Sequence, residues 1–422
     1  MGFLSLFLLC FFEMAYAVPD EHHTSFNVVL HAHSQASGDE LSLVELAGLA
    51  GNAKADAVIL TDYFQQKISY GVWPNPKIFK LSYEKPSVEK FGFERYVNEI
   101  EDANRVTPQV FLIPGVEVTP FYWWSGSLWG KNLTAHDYQK NLLVFGLDPK
   151  DMKVLPTVEN GSLLDAYHGR QGEKAYQELI DYVQSKNGMT VWSTPDEAFG
   201  ADVQYGLVRL RTAPYSESLL ATEGYTGVAV FPEGMTQTGA IGGIWDKLLM
   251  QYCRGKRRQP VWAFTEAVAH QKSIKNLNAW GNVVFADNRN ELSLLGSMRK
   301  GFFYVRELKT SANIQLQDFK VAGTLDGGGA VMGETINVHG NARLLIKVLL
   351  LSGVNTQDLI LDIIRDGKSV ANITGKNGVL DLAWQDPEPV APGSKTYYRL
   401  YVITRPKNIG SIVSNPIFVV GE

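Results

Sequence analysis

The sequence is poor in cysteine, has no marked excess of either charge, and lacks long apolar runs beyond its first residues. Only two cysteines, Cys10 and Cys253, occur among 422 residues, so a disulfide framework cannot hold the fold together. The net charge of −5 lacks the basic excess of proteins that bind nucleic acid or membrane surfaces. No later segment approaches the roughly 20 apolar residues that a membrane-spanning helix needs. We therefore expect no nucleic-acid partner and no transmembrane segment in the mature chain.

What the chain does contain is enough apolar material for a large folded core. Hydrophobic residues make up 45% and aromatic residues 11% of the sequence, which argues against disorder. A length of 422 residues exceeds that of one average domain. The expected organisation is one large domain followed by a smaller module.

The first residues have the pattern of an export signal. An apolar run at 3–12 is followed by Ala15-Tyr16-Ala17, which matches the small-residue pattern of a cleavage site. The sequence predicts a signal peptide at 1–17, a mature start at Val18, and a periplasmic or extracellular location. No Lys or Arg precedes the run, so a buried N-terminal strand or an uncleaved anchor is the open alternative.

A repeated rhythm of short apolar runs and helical patterns extends from residue 26 to about 305. Runs at 27–31, 57–61, 110–114, 141–146, 189–193, 227–231 and 260–264 alternate with helical patterns at 43–51, 93–104, 173–185, 241–252 and 290–300. Continuous apolar runs are typical of strands buried on both faces, as in parallel sheets. Seven such units predict an α/β fold with a barrel at 18–310.

The last quarter of the chain has a different pattern. After residue 310, short β-branched and apolar runs are separated by turn dipeptides such as Asp366-Gly367 and Asn377-Gly378. No helical periodicity interrupts them. The pattern predicts a small all-β, sandwich-like domain at 311–422.

Two long connections, 63–92 and 194–224, follow predicted strands and are expected to form lids or binding loops at one end of the barrel. An aromatic group, Phe121 to Trp124 with Trp129, lies in a third connection of this kind. Such residues line a ligand cleft in some proteins and pack a lid onto the core in others. Both interpretations are open from the sequence.

Two histidines mark the end of the first predicted strand. In an extended chain the side chains of His31 and His33 point to the same side, so both imidazoles could bind one metal ion. A histidine pair alone is a weak signal, because two structural histidines would give the same pattern. The residues around this pair strengthen its interpretation as a metal site.

Residues 31–62 resemble the opening motif of the polymerase and histidinol phosphatase (PHP) family: H-x-H-S-x-x-S-D-G, a helix, and a strand that ends in T-D-H. The segment Pro114-Gly115-Val116-Glu117 is similar to the family's P-G-x-E, whose glutamate is a metal ligand. Val191 to Asp196 resembles a strand that ends in A-H-P, and 280–306 resembles the closing strand and helix. The resemblance implies a metal-dependent phosphoesterase on a βα barrel, with a β-domain behind it as in secreted two-domain members.

Several positions depart from the family's metal ligands. The S-D-G triplet reads Ser37-Gly38-Asp39, so its carboxylate is displaced by one position. Histidines of the family are replaced by Tyr63, Asn141 and Thr194. The family's closing D-x-H falls on Glu266-Ala267-Val268, with His270 two residues further on as a possible substitute. The resemblance therefore implies that only part of a three-ion centre survives.

The surviving set is the one that the resemblance assigns to the first ion: His31, His33, Glu117 and Glu266. Two imidazoles and two carboxylates suit one divalent ion, Zn²⁺, Mn²⁺ or Fe²⁺. Asp39, Asp62 and His270 are candidate accessory residues. Asp62 is expected either to orient one of the histidines or to cap a helix.

Two functions remain open at this point. The first is an exported hydrolase that acts on a small anionic substrate, most simply a phosphate ester. The second is a catalytically inactive descendant that binds a ligand or has a structural role.

Overall fold

The computed structural model describes residues 24–72, 74–75, 78–159, 169–196, 202–232, 234–267, 277, 279–310, 313–323, 328–351 and 357–422. Within these ranges the fold is mixed α/β and rich in strand, with 20% helix and 41% strand. The predicted cleavage site, Val268 and His270 lie outside the described residues. Among the helices described, none is long and apolar enough to cross a membrane.

The strands are β1 (Thr24–Ala32), β2 (Ala57–Leu60), β3 (Asp62–Tyr63), β4 (Lys67–Gly71), β5 (Lys80–Glu84), β6 (Phe111–Ile113), β7 (Gly115–Val118), β8 (Trp123–Ser125), β9 (Leu133–His136), β10 (Leu142–Phe145), β11 (Met189–Trp192), β12 (Asp202–Tyr205), β13 (Val208–Arg211), β14 (Gly227–Phe231), β15 (Trp262–Thr265), β16 (Trp280–Ala286), β17 (Phe303–Leu308), β18 (Asn313–Ala322), β19 (Gly329–Ala330), β20 (Thr335–Val338), β21 (Arg343–Leu351), β22 (Asp358–Arg365), β23 (Lys368–Gly375), β24 (Val379–Gln385), β25 (Lys395–Arg405), β26 (Gly410–Ser414) and β27 (Ile417–Gly421). The α-helices are α1 (Leu43–Asn52), α2 (Val88–Phe91), α3 (Phe93–Val106), α4 (Pro149–Met152), α5 (Lys174–Ser185), α6 (Ser218–Ala221), α7 (Ile244–Cys253) and α8 (Glu291–Lys300), and a 3₁₀ turn spans Gln35–Ser37.

Two sheets build the part of the fold that carries the candidate ligands. One includes β16, β1, β2 and β6 in that order, and the other has the order β15-β14-β11-β10-β7-β3. They are continuous through the chain, because only Thr61 separates β2 from β3 and only Pro114 separates β6 from β7. At the far edge, the Ala267 amide donates to the Leu30 carbonyl over 2.8 Å. The end of β15 therefore lies beside the end of β1.

One expected feature is wrong: the fourth predicted strand, β10, is not parallel to its neighbours. It pairs antiparallel with both β7 and β11. Between β7 and β10 the chain forms strands β8 and β9 and no helix. An antiparallel neighbour needs no helical crossover, so the reversal follows from this strand-only connection.

Local sequence explains the buried strands and the helices that cover them. The segments Ala57–Leu60 and Gly227–Phe231 are buried at every position, as their continuous apolar runs predict. Helix α3 buries Phe93, Tyr96, Ile100 and Ala103, a spacing of three and four residues that forms one apolar stripe. Helix α1 begins with a capping box between Ser42 and Glu45, which satisfies amide groups that the first helical turn leaves unpaired.

Described residues from 313 onward form strands and no helix. The large sheet nevertheless continues across the predicted boundary at 310, because β17 pairs with β26 and β26 pairs with β25. Strand β21 alternates between buried and more exposed positions, which shows that one of its faces packs against a second core. The separate sandwich domain stays a prediction.

The long connections form additional strands beside the candidate ligands. Residues after β3 make the hairpin β4-β5, while β8, β9, β12 and β13 form a four-stranded sheet. In the aromatic group, Phe121 and Tyr122 are buried, whereas Trp129 is 98% exposed.

Candidate metal centre

His31 lies at an irregularity at the end of β1. The pairing of β1 with β2 shifts register between Leu30 and Ala32, and the His31 backbone has a φ of 73°. A left-handed conformation costs a non-glycine residue about 1–2 kcal/mol, and a bulge re-aims the side chain that it carries. Backbone strain of this kind clusters at functional sites, and here it directs a buried imidazole toward Glu117.

Three buried side chains converge: His31, His33 and Glu117. The Nε2 atoms of His31 and of His33 each lie 3.3 Å from Glu117 Oε2. One ligand atom from each residue lies within 4.8 Å of the other two. Metal–ligand bonds of about 2.0–2.1 Å in tetrahedral geometry separate neighbouring ligand atoms by about 3.3 Å, so the spacing of this cluster suits one small divalent ion.

The hydrogen bonds fix which nitrogen of His33 is available. The Ser37 hydroxyl donates its proton to Asp62 over 2.7 Å, while the Tyr63 amide donates to Ser37 Oγ over 2.8 Å. His33 Nδ1 lies 3.3 Å from the same oxygen. Because Ser37 has only one proton to give, His33 Nδ1 must donate. The lone pair of neutral His33 is then on Nε2, which faces Glu117.

Glu266 holds the Nδ1 atom of His31, as Ser37 holds that of His33. Its Oε2 lies 2.5 Å from His31 Nδ1 and accepts from the Ser193 hydroxyl over 2.6 Å. Its Oε1 accepts from the Thr194 amide over 3.0 Å. A carboxylate on Nδ1 orients an imidazole and leaves Nε2 for a metal. The structure therefore brings Glu266 to His31, yet outside the cluster of His31, His33 and Glu117, and its role as a direct ligand stays a prediction.

The charges within this cluster are tightly coupled. Burial alone would lower the pKa of His31, but the charge of Glu117 and hydrogen bonds to Glu117 and Glu266 raise it to about 10. Burial would raise the pKa of Glu117, whereas the charge of His31 and the hydrogen bond from His31 hold it well below its usual range. Without a metal, His31 is therefore a cation between two carboxylates. A divalent ion would replace that proton as the positive charge.

Asp62 orients His33 indirectly, through Ser37. It is fully buried and accepts from the Ser34 amide at 2.7 Å, from the Ser34 hydroxyl at 2.8 Å and from Ser37 at 2.7 Å. It thus fixes the turn that follows the two histidines, and it acts on His33 through Ser37 rather than by direct contact. Ser37 belongs to the segment that resembles H-x-H-S-x-x-S-D-G, but nothing in that pattern assigns it this role.

Residues at the positions of the missing histidines surround the cluster. The Asn141 amide donates to Glu117 Oε1 and is itself held by Thr119, whose hydroxyl donates to Asn141 Oδ1 over 2.5 Å. The Tyr63 ring lies 4.6 Å from the His33 ring, centroid to centroid. Thr194 has a φ of 37° and offers its amide to Glu266. Within the described residues, these three side chains fill space beside the ligands without adding an imidazole.

The remaining accessory candidates lie apart from the cluster or outside the description. Asp39 is half-buried, and its charge contributes to a raised pKa of Tyr63, for which burial is the larger cause. It is not in the group of His31, His33 and Glu117. Ser193 and Tyr215 were not anticipated: Ser193 binds Glu266, and the Tyr215 hydroxyl donates to the Ser193 carbonyl.

No protein-family model and no curated protein matches this chain. Among solved structures, it is similar to a two-domain protein from Bacteroides vulgatus that contains a predicted PHP-like metal-dependent phosphoesterase. The identity is 12%, the alignment covers 92% of this chain and 97% of the other, and the TM-score is 0.41. A second similar structure is an amidohydrolase from Chromobacterium violaceum, at 14% identity, with 58% of this chain and 87% of the other covered and a TM-score of 0.28. Likenesses at this level do not assign an activity, which has to be argued from the site itself.

Proposed function

We propose that this protein is an exported, PHP-like metal-dependent hydrolase that acts on phosphate esters, with one divalent ion on a βα barrel. The observation that carries the proposal is the buried convergence of two histidine Nε2 atoms on Glu117 Oε2, each over 3.3 Å. Three protein ligands leave a position free, which is the pattern of catalytic rather than structural metal sites. When bound, such an ion supplies Lewis-acid chemistry for ester hydrolysis.

The residues around the ligands would prepare the site for that ion. Glu266 and Ser37 hold the Nδ1 atoms of His31 and His33, so both Nε2 lone pairs face the same point. Asn141 fixes the second oxygen of Glu117. Burial of the cluster excludes bulk water and strengthens each electrostatic interaction in it.

A second candidate is a protein that binds metal or ligand without turnover. It is favoured by the way in which hydrogen-bond donors already occupy the carboxylates: Asn141 on Glu117, and Ser193 with Thr194 on Glu266. A second ion would need those oxygens. Loss of the two-ion clamp is expected to slow phosphoryl transfer.

Hydrolysis of 4-nitrophenyl phosphate separates the two candidates. We expect metal-stripped protein to be inactive and Zn²⁺, Mn²⁺ or Fe²⁺ to restore slow turnover, because the three ligands hold one ion with an open position. The His33→Ala variant should remain inactive after metal is added. A protein that binds one ion tightly and shows no turnover on phosphate esters would contradict the hydrolase and favour the binding protein.

Export is a separate part of the proposal. If a signal peptidase cleaves after Ala17, the mature protein begins with Val18-Pro19-Asp20. Amino-terminal sequencing of the protein secreted by an expressing cell should give this order. Full-length chain recovered from the cytosol would contradict the prediction.

A further inference from the structure

A cavity lies between the hairpin β4-β5 and the four-stranded sheet of β8, β9, β12 and β13. None of the three clustered ligands lines it. Its volume is about 440 Å³, which is within the usual range for small-molecule pockets. The hairpin β4-β5 provides one wall, with Ile68 and Leu81, and the four-stranded sheet provides the other, with Val208 and Leu210.

Hydrogen bonds hold the aromatic wall of this cavity in place. The Trp124 indole N–H donates to the Ser69 carbonyl over 2.8 Å, and the Ser69 amide donates to the Tyr122 hydroxyl over 2.7 Å. The Trp124 ring meets Tyr70 edge-on, with centroids 5.2 Å apart and planes at 72°. The wall is therefore formed before any ligand arrives.

The lining determines what the cavity can accept. Five aromatic side chains contribute to it: Tyr70, Tyr83, Trp124, Tyr138 and Tyr205. Besides the four tyrosine hydroxyls, its polar groups are Ser82 and Lys85, and the described lining contains no carboxylate and no side-chain amide. Most of the contact surface that the lining offers to a ligand is therefore aromatic or aliphatic. An aryl group gains edge-to-face contacts there.

Contacts also connect the cavity to the metal ligands. Tyr138 lines the cavity, and its carbonyl lies 3.0 Å from the Thr119 hydroxyl oxygen. That hydroxyl gives its one proton to Asn141, which donates to Glu117. A ligand in the cavity would therefore lie one layer of side chains away from the cluster.

We propose that this cavity is a binding site for a small aryl ligand, separate from the metal cluster. The proposal does not depend on the proposed function, because the cavity exists without the metal.

Two pairs of variants test the cavity by equilibrium binding of 2-naphthol, followed by its own fluorescence, to metal-stripped protein. Val208→Trp fills the cavity, whereas Leu207→Trp adds the same ring at a 58% exposed neighbour outside the lining. Leu81→Lys places a charge in the opposite wall, and Phe79→Lys is its exposed control. We expect the dissociation constant to rise roughly two- to tenfold in Val208→Trp and Leu81→Lys, about the loss of one ring contact, with both controls unchanged. Since Leu81 is 58% exposed, its variant should fold even if Val208→Trp does not.

Competition defines the ligand class. An excess of 1-octanol should displace 2-naphthol poorly, and equal competition by 1-octanol would overturn the inference because it indicates an alkyl site. The absence of measurable 2-naphthol binding to the native protein would overturn it as well.

Discussion

Replacing either His31 or His33 by alanine is expected to abolish metal binding, while the native mature chain should bind close to one divalent ion. Each histidine supplies one of the three ligand atoms that meet within 4.8 Å. Loss of an outer partner of a metal site already costs roughly 10–100-fold in affinity, and loss of a direct ligand should cost more. Elemental analysis of the purified proteins after dialysis against trace metal measures the effect.

Two matched variants separate ligand loss from general damage. Asn141→Ala and Thr194→Ala change residues beside the ligands, but neither side chain belongs to the group of His31, His33 and Glu117. Thr194→Ala should keep an occupancy near one, because it is the Thr194 backbone amide that contacts Glu266. Asn141→Ala removes a donor to Glu117, so we expect it to weaken binding by roughly 10–100-fold without abolishing it. An occupancy of two or three in the native protein would show that further residues of this chain bind metal, and no metal in any form would leave a scaffold without the proposed chemistry.

The same site should bind metal more tightly as the pH rises. The carboxylates raise the pKa of His31 to about 10, so at neutral pH a metal ion must displace a proton to reach its Nε2. One displaced proton makes the apparent affinity rise roughly tenfold per pH unit below that pKa. Competition with a chelator of known affinity, at several pH values, gives the slope. A flat profile between pH 6 and 9 would mean that His31 does not ligate the ion.

The sequence indicated which side chains form the cluster, but not the local backbone geometry that brings them together. The family resemblance indicated the histidine pair and Glu117, and the structure brings these three side chains together. Strand order alone does not explain this, because β2 lies between β1 and β6 in one sheet and Glu117 lies on β7 in the other. The sequence could not predict the irregularity at His31, because a bulge depends on pairing with β2. Sequence spacing also does not indicate that Glu266 and Ser37 would contact the Nδ1 atoms of His31 and His33.

Strand direction was the main error in the predicted fold. The apolar run of β10 looks like those of its parallel neighbours, since burial on both faces gives the same composition in either direction. Direction depends on the connection. The polar and aromatic stretch after Glu117 has the composition of a loop, yet it contains β8 and β9. The mixed α/β class was recovered, but the high strand content was not.

A buried ion pair between distant parts of the chain was also beyond sequence analysis. Asp246 on α7 accepts from Arg399 Nε at 2.7 Å and from Arg399 Nη2 at 2.6 Å. The Tyr397 hydroxyl and the Gly242 amide donate to the same carboxylate, each over 2.7 Å. The side chains of Asp246 and Arg399 are at most 1% exposed. Because β25 carries Arg399, this pair fastens α7 to the strands that follow residue 310.

Replacing Asp246 by alanine is expected to destabilise the protein by about 3–5 kcal/mol, the usual cost of leaving one partner of a buried pair uncompensated. Burial disfavours the Arg399 cation, and the charge of Asp246 more than offsets this, raising the pKa of Arg399. Without Asp246, the guanidinium would stay charged in an apolar environment next to the Trp245 ring, 4.7 Å away. The free energy of unfolding, measured in urea for the native protein and the variant, gives the difference.

An exposed ion pair and a double variant show whether burial of the unpaired charge causes the loss of stability expected in Asp246→Ala. Lys347 and Asp381 form an exposed pair at 3.6 Å, and Asp381→Ala should change stability little, because exposed pairs contribute little. Asp246→Leu combined with Arg399→Met removes both charges, so it should recover much of the loss seen for Asp246→Ala. If the double variant is as unstable as the single one, the cost lies in the lost hydrogen bonds of Tyr397 and Gly242 rather than in the stranded charge. If Asp246→Ala has no effect, the pair does not fasten the two parts of the chain together.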